Sequence, residues 1–140
     1  MTNNSKAKYL YNLPEHKSVG RINPALLRII ITPAYTKIDF GYQTIRYYEK
    51  GGWVRISKDT FIRIKATGEK FTMTKSENIP VAPVRHNFKS TKDWLYFSLY
   101  FPPMPPKTKW IDIIEAEPGT PNDFNYHDIE LNSKKAMELL

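Results

Sequence analysis

Between Trp94 and Phe101 the side chains alternate without interruption, with Leu95, Phe97, Leu99 and Phe101 on one side and Trp94, Tyr96, Ser98 and Tyr100 on the other. A period of two sends successive side chains to opposite faces of a pleated strand, whereas a helix would scatter these residues around its axis. The run therefore fixes much of what the chain can become. It needs strand neighbours on both sides, and its apolar face needs a second layer to cover it. We expect it to be central in its sheet.

The flanking sequence supplies the neighbours. Residues 26–32 (LLRIIIT) read as a buried strand stopped by Pro33, which cannot donate to a ladder. In residues 35–42, Ile38, Phe40 and Tyr42 alternate with Lys37, Asp39 and Gly41, the pattern of a sheet with one wet face. Residues 53–57, 60–65 and 70–74 read as a three-stranded meander, introduced by the turn signal Gly51-Gly52, with Ile62 and Ile64 turned away from Phe61, Arg63 and Lys65. Residues 76–90, with Pro80 and Pro83, read as a loop crossing between sheets. A proline corner at 102–106 leads to a strand over 109–115, and a turn at 118–121 leads to a last strand over 124–131, kinked near His127.

The expected fold is all-β: an immunoglobulin-like, two-sheet antiparallel sandwich of about 7–8 strands. A closed barrel uses similar signals, but long prolyl crossings suit strands that change sheets. Three segments follow: a flexible arm over 1–20 pinned by Tyr9, Tyr11 and Leu13, a sandwich domain over 21–131, and a tail over 132–140 where Asn132 or Ser133 can cap a short helix. At 140 residues the chain is large enough for one core.

The chain has no cysteine, which excludes disulfides, thiolate metal sites and a thiol nucleophile. Its opening residues lack the apolar segment of a signal peptide, and its longest apolar stretch is broken by Arg28 and is too short to span a bilayer. The expectation is a soluble protein without a transmembrane segment, exported to the periplasm or cell surface if a leader has been removed, and otherwise cytoplasmic.

Several pieces together resemble a known family: residues 52–60 (GWVRISKDT), 68–71 (GEKF), 76–80 (SENIP), 97–105 (FSLYFPPMP) and 108–115 (TKWIDIIE). In order and spacing they resemble a domain of Bacteroidetes proteins that has no assigned activity. The resemblance spans residues 26–131 and implies an immunoglobulin-like sandwich, found alone or joined to modules such as thioredoxin-like domains in exported proteins. It transfers no catalytic or binding residue. Residues 124–131 (FNYHDIEL) depart from the family's usual closing strand of an aromatic, Tyr-Gly-Ile and Leu.

Catalytic spacing is missing from the sequence: there is no Gly-x-Ser-x-Gly elbow and no phosphate-cradling glycine loop. His16, His86 and His127 lack zinc-ligand spacing and read as solvent-facing loop residues. Asp112, Glu115, Glu117, Asp123, Asp128 and Glu130 crowd the last strands, where they read as a solvated edge in the absence of a calcium-loop motif. We expect no enzyme, no metal and no cofactor.

Two binding faces stand out. Trp94, Tyr96 and Tyr100 share one side of the central strand; exposed together they suit a protein or glycan partner, while beneath a loop or the arm they are core, which a central strand favours. Residues 1–70 hold 13 Lys and Arg against 5 Asp and Glu, so the basicity lies in the first half. There Trp53 and Arg55, with Arg63 and Lys65, could make a basic aromatic face for a polyanion. No nucleic-acid motif accompanies it, so the leading expectation is a non-catalytic interaction or scaffold module that binds a protein or carbohydrate, with polyanion binding as the alternative. The sequence leaves its oligomeric state open.

Overall fold

The computed structural model describes residues 8–12, 14, 17–19, 23–43, 53–89, 93–105, 107–120, 123–131 and 137–139. Leu13, His16, the Gly51-Gly52 turn and the Asn132 or Ser133 cap lie outside them. Among the described residues the strands are β1 (Lys8–Asn12), β2 (Lys17–Val19), β3 (Ala25–Ile31), β4 (Thr36–Gln43), β5 (Trp53–Val54), β6 (Phe61–Ile64), β7 (Lys70–Thr72), β8 (Lys75–Glu77), β9 (His86–Asn87), β10 (Trp94–Phe101), β11 (Trp110–Ile114), β12 (Asn125–Glu130) and β13 (Met137–Leu139).

Alternation in the sequence becomes two layers. One sheet has the order β13-β1-β3-β4-β10-β8 and the other β2-β12-β11-β6-β7, with antiparallel neighbours throughout; β5 and β9 form a separate small ladder. The inward faces meet in one core. Ile29, Ile38, Phe40, Phe97 and Leu99 come from the first sheet, and Ile62, Ile111, Ile113, Tyr126 and Ile129 from the second. Phe40 stacks on Phe97 with ring centroids 5.0 Å apart and reaches Tyr126 of the opposite layer at 5.7 Å. The Tyr126 hydroxyl, buried with its ring, donates to the Pro24 carbonyl at 2.7 Å, so its polar tip is satisfied inside the core. The expected all-β sandwich is thus the fold, with β10 interior to its sheet as its alternation requires.

The structure departs from the sequence reading at the short elements. The arm supplies a strand to each sheet: β1 pairs with β3 and β2 with β12, and Tyr11 is buried in the core with Tyr9 packed against it. The tail expected to hold a helix instead carries β13, paired with β1. The expected meander is split, because β5 pairs with β9 and not with β6, and the stretch read as a crossing loop overlaps β8 and contains β9. Strands of two or three residues carry too little periodicity to be read from sequence, which is why the chain holds more strands than the 7–8 expected.

Two bulges shape the outer faces. On β3, Leu26 pairs with Phe40 and Arg28 with Asp39, which leaves Leu27 as an extra residue. On β12 the register shifts opposite Asp112, where Asp128 takes a positive φ of 57°. An extra residue re-aims its neighbours, and Asp tolerates the left-handed region better than most residues. The kink expected near His127 is this second bulge. Each bulge sits beside a buried carboxylate.

Candidate functional site

The outer face of the six-stranded sheet is built by register. Asp39 on β4 stands opposite Arg28 on β3 and Ser98 on β10, so three adjacent strands converge on one carboxylate. The Ser98 hydroxyl donates to Asp39 Oδ1 at 2.6 Å, Arg28 Nε donates to Oδ2, and Lys37 Nζ lies 3.6 Å from Oδ1. These partners supply the charge and hydrogen bonds that a nearly buried carboxylate requires.

Above this floor runs a groove of about 330 Å³. Leu27 and Arg28, placed together by the β3 bulge, form one wall, and Glu77, Asn78 and Tyr96 form the other. Asn78, at φ 63°, donates from its side chain to the Tyr96 carbonyl at 2.6 Å and ties the end of β8 to β10.

At the end of the groove stand the rings. Tyr96 and Trp94 lie on one face of β10, near parallel at 10° with centroids 6.0 Å apart, and are 60% and 50% exposed. The reading of these two as core beneath a loop or the arm is therefore corrected: both rings are exposed, and the described strands of the arm pair within the two sheets. Gly41, paired with Tyr96 across the ladder, makes the arrangement possible, since a Cβ there would come within 3.2 Å of the Tyr96 ring. We expect Gly41→Ala to push the ring aside while changing stability by no more than about 1 kcal/mol, because an exposed ring can move. Tyr96 resonances in an NMR spectrum would report the shift.

Tyr100, the third candidate, plays another part. It is half-buried, meets Tyr35 edge-on at 5.5 Å, and has Lys75 Nζ 4.5 Å and Lys37 Nζ 5.8 Å from its ring centroid. Its hydroxyl donates to Glu77, which pushes the phenol up to about 12 and holds the Glu77 carboxyl below its ordinary range. In Glu77→Gln the Tyr100 phenol should titrate nearer its ordinary value, a change visible in the ring-carbon shifts of labelled tyrosine. An unchanged titration would show that Glu77 does not hold it.

The basic aromatic face of the sequence reading does not assemble as one surface. Trp53 and Arg55 belong to the small ladder, where Arg55 and Arg85 lie over the Trp53 ring at 5.0 and 4.9 Å. Arg63 and Lys65 belong to the outer face of the second sheet, and both are engaged by acids. Arg63 reaches Asp112 at 3.1 Å and Glu117 at 2.9 Å; Lys65 reaches Asp112 at 3.3 Å and Asp128 at 3.0 Å. The hydrogen bonds they donate, Arg63 first to Glu117 and Lys65 first to Asp128, raise both cations' pKa.

The acidic residues are not simply a solvated edge. Asp112 is fully buried and also accepts the Asp128 amide at 3.0 Å, with His127 Nδ1 3.6 Å away. Glu115 accepts amide hydrogens from Ser57 and Phe124, each at 2.9 Å, and burial pushes its carboxyl up. Since the folded state holds that proton more tightly than the unfolded chain, the associated stability is present below the ordinary glutamate pKa and is lost as pH rises through the raised one. The stability of the protein relative to Glu115→Gln should accordingly decline as pH rises above the ordinary glutamate pKa, measured by urea midpoints. A difference that stays constant with pH would contradict this.

His86 and His127 lie on strands, half-buried, and not in the solvent-facing loops expected of them. Among the described residues no three His, Asp or Glu side chains gather as a metal cluster, and no helix is long and apolar enough to cross a membrane. The sequence reading missed Arg28, Lys37, Asp39, Glu77, Asn78 and Ser98. The only signal for them was that Lys37, Asp39 and Ser98 fall on the side of their strands opposite the apolar residues. Comparison with protein-family models, with curated proteins and with solved structures finds no match to the chain.

Proposed function

We propose that this chain is a binding module that holds a neutral carbohydrate chain along the outer face of its six-stranded sheet. The observation that carries the reading is the juxtaposition of two exposed, near-parallel rings, Trp94 and Tyr96, with a groove floored by Asp39 and Ser98. Sugar rings offer apolar C–H faces and a rim of hydroxyls. Aromatic side chains supply contact area to the first at low entropic cost, and a few fixed polar groups orient the second. Glu77, Asn78 and Arg28 stand along the groove walls as acceptor, amide and donor.

A mainly apolar protein interface would be poorly served by this groove, because docking would bury Lys37, Asp39 and Glu77 against partners that must each be matched. A panel of neutral hexose and pentose oligosaccharides, titrated calorimetrically, tests the proposal. At least one should bind, and Trp94→Ala or Tyr96→Ala should weaken it about tenfold or more. Failure of the whole panel, or affinity indifferent to both substitutions, removes the glycan reading.

A further inference from the structure

We infer that the small β5–β9 ladder carries a second site, for sulfate esters on a glycan chain, formed by Arg55 and Arg85 around Trp53. In this ladder Trp53 pairs with Asn87 and Val54 with His86. Val54 is buried, so Trp53 and Arg55 on either side of it turn outward. The ladder ends at the Val54–His86 pair, and Arg55 and Arg85 are the residues that flank it, one on each chain segment. Like charges brought close repel, and a carboxylate would ordinarily separate them. Among the described residues neither guanidinium makes an ion pair within 4 Å; both instead lie over the Trp53 indole, at 5.0 and 4.9 Å. Arg55 makes one long hydrogen bond, 3.4 Å to the Pro83 carbonyl, and Arg85 is exposed.

The indole thus has two guanidiniums beside it without neutralising them. Planar forks of N–H donors suit tetrahedral oxyanions, which would also relieve the repulsion. Sulfate esters fit better than nucleic acid: with both cations over the ring, the indole is not free to stack a base, and base stacking is what single-strand binding relies on. The surface is distinct from the Trp94–Tyr96 groove, so the two readings can fail separately.

The test titrates the protein with a heparin-derived sulfated oligosaccharide and, in a second arm, with a single-stranded oligonucleotide of equal charge, following Trp fluorescence and salt dependence. We expect the sulfated chain to bind more tightly. In Arg55→Gln/Arg85→Gln its affinity should fall about tenfold or more and its salt slope should shrink by about two, one for each lost cation. Lys109→Gln, an exposed cation elsewhere, should leave binding near the unaltered value. Tighter binding of the oligonucleotide overturns the choice of ligand. A loss in Lys109→Gln as large as in the double variant, or no loss in the double variant, overturns the site. Unchanged thermal midpoints confirm that the variants remain folded.

Discussion

Replacing Asp112 with alanine should destabilise the protein by about 3–5 kcal/mol, the cost of removing one partner from a buried ion pair. The carboxylate is fully buried on the outward side of β11, yet it receives Arg63 from β6, Lys65 from just beyond β6, and the Asp128 amide from β12. Removing it leaves two cations and an amide facing each other with no common acceptor. The carboxylate also spans three strands, so the loss should appear as a cooperative fall in the urea midpoint rather than local fraying. A loss below about 1 kcal/mol would mean that water takes over the bonding, as it does for exposed pairs.

The second large effect is expected at Phe40. Its ring is nearly fully buried, stacks on Phe97 within its own sheet and touches Tyr126 in the other, so it joins the two layers. Phe40→Ala should cost about 3–5 kcal/mol through lost burial and the cavity left between the sheets. Phe40→Leu, which keeps most of the volume, should cost clearly less. Equal losses for both would indicate that the sheets do not meet at this ring.

What could be read from the sequence follows from strand length. β10 spans enough residues for its alternation to be unmistakable, and the inward residues of β4 and β6 also fall on the expected sides, while β3, β11 and β12 could be read as strands. Two or three residues define no period, so β2, β8, β9 and β13 were invisible until their partners were known, while the five residues of β1 lie in a polar stretch that reads as an arm. The site divides in the same way. Trp94, Tyr96 and Tyr100 could be named because they share one strand. Asp39 and Ser98 meet only because β4 and β10, distant in sequence, pair in one particular register. Arg28 joins them only through the Leu27 bulge, and no pattern of apolar residues announces an extra residue.

The two outer faces give the account its sharpest contrast. That of the five-stranded sheet is occupied by its own ion pairs around Asp112, while that of the six-stranded sheet keeps a groove beside exposed rings. The most direct test is to map backbone amide shifts while titrating the tightest oligosaccharide from the neutral panel. The account predicts that the perturbed amides lie on β4, β8 and β10 and in the side-chain N–H of Trp94, with β6, β11 and β12 unmoved. Perturbations concentrated on β6 and β11 would contradict it.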